Sequence, residues 1–443
     1  IMTIKTASVI GLGKLGLPMA ACFASKGFKI IGIDKNISLI NAVKKGEAPF
    51  YEPGLQNLIH KSGNNLEVSA DPKRAIEESD ASFLIVPTPS NKSGEFSNEY
   101  LENALQELSS VLKESKKRYH LFVISSTVMP GTIDKYFIPL IEKMSGRKLN
   151  KGFGICYNPE FIALGSVIRD FFNPDVLLIG ETNKEDGQVL ENFYKKIHES
   201  HPYVARMSAV SAEIMKISLT SYVPMKISFA NQLSQICGQI PRADIDAITK
   251  AIGSDKRVGT VYFNGGLSYG GPCFPRDNRA FSAFAKKHGH DAPLSSAADK
   301  INELQKDYLI NTVLKSYSGN GPVLLAGFAY KNNTPVIEES TSLKLVDALL
   351  KNKIKVTVHD PLAANNIKSF FGNKVELSPS LEKSLKKVST CVLISNSKET
   401  KNAIEKTFFS KPIDLVDCWR NIDPLKLKGK VKYIPMGRAQ QKL

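Results

Sequence analysis

Val9-Ile10-Gly11-Leu12-Gly13-Lys14-Leu15-Gly16-Leu17-Pro18 decides the fold of this chain. An apolar strand pattern ends at Ile10, and an apolar helix pattern starts at Gly16. Glycines at Gly11, Gly13 and Gly16 then form G-x-G-x-x-G between a strand and a helix, the context in which that spacing carries meaning. They permit a tight turn, and the exposed helix N-terminus favours a pyrophosphate. A second apolar run, Ile30–Ile33, ends at Asp34. A carboxylate at that distance accepts hydrogen bonds from an adenosine ribose and repels a phosphate there, so the pattern selects NAD over NADP.

Working outward, apolar runs at Ala7–Ile10, Ile30–Ile33, Ala81–Pro87, Leu121–Ser125, Gly154–Cys156 and Val176–Ile179 alternate with helical stretches. That alternation predicts parallel βαβ units with right-handed crossovers. From about Ser208 to Cys237 the pattern is one long helix with apolar groups at Ile214, Ile217, Met225 and Phe229. Pro224 is expected to kink it rather than end it. A second series follows at Val323–Gly327, Lys355–His359, Thr390–Ser395 and Ile413–Val416. The fold class is therefore α/β: two Rossmann-like domains with parallel sheets, joined by a long central helix.

The bulk composition narrows the function classes. At 443 residues the chain has room for two or three domains. Its 42% hydrophobic and 23% charged residues are those of a globular protein. No apolar run reaches the roughly 18 residues of a membrane span, and Ile1 to Thr6 lead straight into a strand pattern, so the expectation is a cytoplasmic protein. The +16 formal charge comes from lysines spread thinly along the chain, without the aromatic interleaving of a single-strand binder. That distribution argues against nucleic acid and suits the steering of a small diphosphate.

Several residues are candidates for chemistry. Val86-Pro87-Thr88-Pro89 and Ser125-Ser126-Thr127-Val128 end strands at the carboxyl edge of the expected sheet, where ligands bind in open α/β folds. Their hydroxyls either touch the cofactor or cap the next turn, and the residues leave both open. Asn158-Pro159-Glu160-Phe161 follows another strand, and Glu160 near a cofactor is suited to general-base work. Tyr269-Gly270-Gly271-Pro272-Cys273-Phe274-Pro275-Arg276-Asp277 is the sharpest signal. Cys273 sits on a constrained backbone with Arg276 close behind, which suits a nucleophilic thiolate. A buried thiol in a glycine-rich turn is the alternative. The glycines would let backbone N–H groups approach a phosphate or sugar.

The six cysteines (Cys22, Cys156, Cys237, Cys273, Cys391, Cys418) are scattered, so neither a disulfide framework nor a zinc site is expected. All but Cys273 read as buried packing groups. His198 and His201, and His288 and His290, read as surface pairs, and no metal site is predicted. Glu213 and Lys216 share a helix face at i, i+3, and by themselves read as a surface ion pair.

In combination, GLGKLGLP, GEAPFYEPGL, VPTP, SSTV, NPEF, EIMK…KISFANQ, GGPCFPRD, GFAYKNNT and VDCWRNI run in this order along nearly the whole chain. The sequence thereby resembles the UDP-glucose dehydrogenase group of nucleotide-sugar dehydrogenases. The resemblance implies an NAD-binding domain over residues 1–205, a helical dimerisation and active-site segment over 206–312, and a C-terminal nucleotide-binding domain over 313–443. It implies a homodimer or higher homo-oligomer. It also implies NAD-dependent, four-electron oxidation of the primary alcohol of UDP-glucose to UDP-glucuronate, feeding polysaccharide synthesis.

The same resemblance assigns roles. Cys273 is the nucleophile that forms a thiohemiacetal and then a thioester. Lys216 stabilises the oxyanion, Thr127 and Asp277 orient water, and Glu160 transfers protons. Gly11, Gly13, Leu15, Gly16, Asp34, Thr88, Thr127 and Arg276 contact the cofactor. Glu160, Lys216, Thr220, Tyr269, Gly270 and Lys331 contact the substrate, as does Arg257, which enters the neighbouring subunit's site.

The chain departs from the family pattern at Leu164, where an acid or glutamine is usual, at Thr220 for asparagine, and at Arg276 for lysine. It departs again at Val176 and Glu338, each for arginine. Two alternatives follow: another nucleotide sugar (a UDP-N-acetylhexosamine or GDP-mannose), or a non-catalytic nucleotide-sugar binder. A β-hydroxyacid dehydrogenase shares the Rossmann domain and long helix, but Cys273 and the region after Val323 speak against it.

Overall fold

The computed structural model describes residues 3–319 and 321–439. Ile1 and Met2 of the expected lead-in, and residues 320 and 440–443 of the expected third region, lie outside the described residues. The chain divides into two compact units, Ile1–Ser218 and Leu219–Leu443.

The first unit is built on an eight-stranded sheet. Its strands are β1 (Thr6–Ile10), β2 (Lys29–Ile33), β3 (Leu66–Ser69), β4 (Ala81–Leu84), β5 (Leu121–Ile124), β6 (Gly154–Tyr157), β7 (Val176–Glu181) and β8 (Tyr203–Ser208). They lie in the order β3-β2-β1-β4-β5-β6-β7-β8. Alternate residues feed two cores. Val9, Ile30, Phe83 and Val123 face one side, whereas Ile10, Ile31, Leu84 and Phe122 face the other. Strands buried on both faces read as continuous apolar runs, which is why β1, β4 and β5 are visible in the sequence. The helix Gly16–Ser25 is buried from Gly16 through Ala24. Phe23 anchors it in an aromatic cluster, 5.0 Å from Phe83 and 4.9 Å from Phe193 between ring centroids.

Not every pair is parallel. β6 and β7 run antiparallel, with Cys156 opposite Glu181 and Tyr157 opposite Gly180. The chain beyond Tyr157 therefore rises past the sheet edge, beside the start of β7. The Asn158 amide bridges the two by donating to the Leu178 carbonyl (2.9 Å).

The second unit carries a six-stranded parallel sheet of β9 (Val323–Ala326), β10 (Val356–His359), β11 (Glu376–Leu377), β12 (Thr390–Leu393), β13 (Phe408–Asp417) and β14 (Lys428–Pro435). Its order is β11-β10-β9-β12-β13-β14. Helices Phe274–Lys287 and Pro293–Ser316 belong to the same unit. Arg420, whose side chain is 2% exposed, ties this unit together. It pairs with Asp246 (2.9 Å) and donates to the carbonyls of Gly265 (2.6 Å) and Met436 (2.7 Å). The long helix Ala209–Cys237 runs across the unit boundary and continues through Pro224. Among the described residues no helix is long and apolar enough to cross a membrane.

Candidate active site

The turn after β1 is fixed by close backbone contacts. Gly11 has φ +93°, and a Cβ there would stand 2.6 Å from the Ile85 carbonyl oxygen. A Cβ on Gly16 would come within 1.8 Å of the Gly11 carbonyl oxygen. Neither position accepts a side chain. Gly13 differs: a Cβ on it would meet nothing within 4 Å, so packing alone does not require glycine there. Asp34 closes the turn, its Oδ2 accepting from Leu12 N (2.7 Å) and its Oδ1 from Asn36 N (2.8 Å). Each oxygen keeps a lone pair for a ribose hydroxyl. The helix Gly16–Ser25 has no side-chain cap at Leu15; Leu17 N is taken by the Gly13 carbonyl (3.1 Å) and Pro18 has no N–H, so the amides before them, up to Gly16, are those left to a ligand. Open space at Gly13, uncapped amides and the Asp34 carboxylate fit the pyrophosphate and ribose of NAD.

Next to that turn, the ends of β4 and β5 are sewn together. Ser126 Oγ accepts from Val86 N (2.9 Å) and donates to the Val86 carbonyl (2.7 Å). Thr88 is buried and Thr127 half-buried on the two joined loops.

Glu160 follows β6 within a polar group that the sequence did not reveal. Tyr194 donates to Asn158 Oδ1 (2.6 Å) and lies 3.4 Å from Glu160 Oε1. Burial pushes the Glu160 carboxyl up to about 7, against the opposing pull of Lys216 and Tyr194. A carboxyl near neutrality is suited to take up and release protons. Lys216 is buried (6% exposed). It donates to the Glu160 carbonyl oxygen (2.6 Å), and its ammonium sits 4.4 Å from the Phe161 ring centroid.

The expected surface pair of Glu213 and Lys216 is corrected here. Glu213 is fully buried and turns to the segment after β5, accepting from Gly131 N (2.5 Å) and Ile133 N (2.9 Å). Burial of the helix face, invisible to an i, i+3 rule, sends the two side chains to different partners. His198 is likewise not a surface group. It is half-buried against Phe171 and Tyr194, and burial pushes its pKa down to about 4. Among the described residues no cluster of three or more His, Cys, Asp or Glu side chains could hold a metal.

Cys273, in the second unit, is exposed, and the chain's five other cysteines, in both units, are buried. Burial pushes the thiols of Cys22, Cys156, Cys391 and Cys418 upward. Cys273 stands at the N-cap of helix Phe274–Lys287, where the helix dipole favours negative charge. Asp277, one turn on, is 1% exposed. Its Oδ1 is held by Arg276 Nε (2.9 Å), while Oδ2 has no hydrogen-bond partner among the described residues. Burial disfavours the Arg276 cation, but Asp277, Cys273 and Glu338 outweigh it and hold its pKa above the ordinary arginine value. Glu338, where the family pattern has arginine, thus lies within electrostatic reach of Arg276.

The neighbouring glycines serve packing. A Cβ on Gly270 would meet the Glu339 carbonyl oxygen at 2.3 Å, and one on Gly271 the Tyr330 ring at 2.5 Å. Tyr269 is buried, with its N bonded to Asn302 Oδ1 (2.8 Å) and its hydroxyl to Asp299. Thr220 is buried on the long helix, and Lys331 is half-buried on the loop after β9. Arg257 is 88% exposed and pairs with Asp255 (2.6 Å).

A glycine turn at the end of β1 in a mostly parallel sheet, and a second α/β unit later in the chain, are the features of an NAD-dependent dehydrogenase with two nucleotide-type domains. The chain belongs to the UDP-glucose/GDP-mannose dehydrogenase family. The family's NAD binding domain matches residues 5–198, its central domain 210–304 and its UDP binding domain 324–424. The chain is 32% identical to the UDP-glucose 6-dehydrogenase AglM of Haloferax volcanii, over 82% of this chain and 85% of that protein. It is 31% identical to a GDP-mannose 6-dehydrogenase of Pseudomonas syringae, over 80% of each chain. A UDP-glucose dehydrogenase structure from Pyrobaculum islandicum superposes with TM-score 0.89 at 28% identity, covering 98% of both chains. The chain is therefore an NAD-dependent nucleotide-sugar dehydrogenase by family.

The two glycines should separate folding from binding. Gly13→Ala should melt within a degree or two of the wild type yet weaken NAD by about tenfold or more, because only the ligand meets the new methyl. Gly16→Ala should destabilise the unit itself by several kcal/mol. Thermal melting with and without NAD, beside NAD titration calorimetry, reads both. Equal melting losses in the two variants would reject the assignment.

Proposed function

We propose that this chain oxidises the primary alcohol of UDP-glucose to the carboxylate of UDP-glucuronate, with Cys273 as covalent nucleophile. The observation that carries the reading is the contrast among cysteines: five are buried, and the sixth is exposed at a helix N-terminus beside Arg276 and Asp277. Bound NAD supplies the hydride acceptor, and two molecules in succession take up the four electrons.

The chain's own groups do the rest. Asp34 and the amides at Gly13 to Gly16 hold and orient the dinucleotide, assisted by Leu15, Thr88 and Arg276. The Cys273 thiolate adds to the aldehyde carbon, forming a thiohemiacetal, and after the second oxidation carries the acyl group as a thioester. Lys216, a buried cation, stabilises oxyanions that develop on the sugar carbon. Asp277 Oδ2 and Thr127 orient the hydrolytic water. Glu160 takes its proton, the thiolate leaves, and the acid departs. Thr220, Tyr269, Gly270 and Lys331 are assigned to the substrate. The relatives include GDP-mannose enzymes, so the base is discriminated in the assay below.

A homodimer is part of this reading. Tyr222, Phe229 and Ile236 are 51%, 50% and 50% exposed at seven-residue spacing on the long helix. That is an apolar seam of the kind a second helix covers. Arg257 is assigned to the partner subunit's substrate site.

Three measurements test the reading. Absorbance at 340 nm should record two NADH per UDP-glucose and none from GDP-mannose, and Cys273→Ser should stop turnover. Two NADH from another nucleotide sugar alone would replace the substrate and keep the chemistry. The kcat should fall as pH drops through about 7, because Glu160 must be ionised to accept a proton, and Glu160→Gln should remove that limb along with most activity. An unchanged limb assigns the base elsewhere. Phe229→Glu should turn a dimer into a monomer by light scattering, whereas a wild type that is already monomeric rejects the seam.

A further inference from the structure

The motif GEAPFYEPGL forms residues 46–55, the link between helices Ile37–Lys44 and Leu55–Ser62. Gln56 stitches this loop, donating to the Gly46 carbonyl (2.6 Å) and accepting from Ala48 N (2.9 Å). Gly54, at φ +85°, turns the chain into the second helix. The result is a rigid platform from which Glu52 projects. Its side chain is buried (7% exposed) and reaches more than a hundred residues along the chain. Oε2 accepts from Gly165 N (2.8 Å) and Oε1 from Val167 N (2.8 Å).

Val167 N opens the helix Val167–Phe172, and Gly165 N lies in the turn just before it. Its own N-cap residue, Ser166, makes no capping bond. The Ser166 hydroxyl donates instead to Asp170 Oδ2 (2.6 Å) and the Ala163 carbonyl. Glu52 is therefore the cap, supplied from outside, and a buried carboxylate accepting two N–H groups is a strong and directional hold. Between Glu160 and this cap lie Phe161 to Gly165, a half-buried stretch without helix or strand. Its upstream end is fixed by Asn158 on Leu178 and by Lys216 on the Glu160 carbonyl. Its downstream end is fixed by Glu52. Phe50, Ile162 and Ile168 pack on one hydrophobic core beside this junction.

We propose that Glu52 is a positioning residue for the nucleotide-sugar substrate, holding segment 161–167 in the shape that receives the sugar. The proposal rests on the reading that Glu160 and its segment meet that substrate. Glu52 touches neither sugar nor cofactor and acts through the Gly165 and Val167 amides. Freeing them lets the segment sample other shapes, so substrate binding must first re-order it. NAD, held at the β1 turn, does not bear that cost.

Glu52→Gln and Glu52→Ala are compared with Asp80→Ala. Asp80 also holds two amides, Lys5 N (2.8 Å) and Thr6 N (3.0 Å), through its one oxygen Oδ2, at the start of β1. In the full-length enzyme the KM for UDP-glucose should rise about tenfold in Glu52→Ala, with Glu52→Gln between it and the wild type. The KM for NAD should stay within about twofold in both. Hydrogen exchange of the Gly165 and Val167 amides should accelerate in step. Asp80→Ala should lower the melting temperature with both KM values unchanged. If Glu52→Ala shifts both KM values equally, or only the melting temperature as Asp80→Ala does, Glu52 is a structural cap and the proposal falls. Wild-type turnover tests the substrate reading separately. If UDP-glucose is inert and GDP-mannose or a UDP-N-acetylhexosamine is turned over, the same ratios are read with that sugar; if all three are inert, the substrate reading falls and this proposal with it.

Discussion

A carboxylate that grips two backbone N–H groups is the interaction on which the loops of this protein depend. Asp34 holds Leu12 and Asn36, and Glu213 holds Gly131 and Ile133. Glu52 holds Gly165 and Val167. The second sheet repeats the device. Asp360 accepts from Phe328 N (2.9 Å) and Ala329 N (3.0 Å), and Asp417 from Trp419 N and Ile422 N (3.0 Å each). Charge-assisted bonds of this kind contribute about 1.5–3 kcal/mol apiece. Loops at strand ends have no ladder to satisfy their amides, so a short acidic side chain takes the place of a strand.

The two sheets also share the geometry of their first turn. Gly11 N bonds the Ile33 carbonyl at 2.8 Å, and Gly327 N bonds the His359 carbonyl at 2.8 Å. The two glycines have φ of +93° and +95°. An aspartate follows the second strand in each case. The difference lies in what each carboxylate has left over. Asp34 accepts one amide on each oxygen, whereas Asp360 Oδ2 accepts two and Oδ1 accepts Ala363 N. The first turn keeps capacity for a ribose, and the second spends more of it on its own backbone.

Most of the fold was legible because buried parallel strands write themselves as apolar runs. β3, β11 and β14 were missed because they are edge strands whose exposed or half-exposed positions break up the apolar run. β8 was missed because Tyr203, Arg206 and Ser208 interrupt its apolar pattern. The reversed direction of β7 leaves no periodicity signal, since strand polarity is set by the path of the connection. The turn closed by Asp34 and the exposed position of Cys273 were legible from local spacing. Tyr194 and Glu52 were not legible as partners of their distant segments, because no short-range rule links residues 36 or 113 positions apart. The packing role of Gly270 and Gly271 was hidden for the same reason, as Glu339 and Tyr330 come from a later loop.

The isolation of Cys273 has a consequence for the life of the protein under oxidative stress. Sulfenic acid formation follows exposure and thiolate character. With the five other thiols buried, peroxide and alkylating agents meet a single exposed thiol. Early oxidation at that sulfur is reversible by a small thiol.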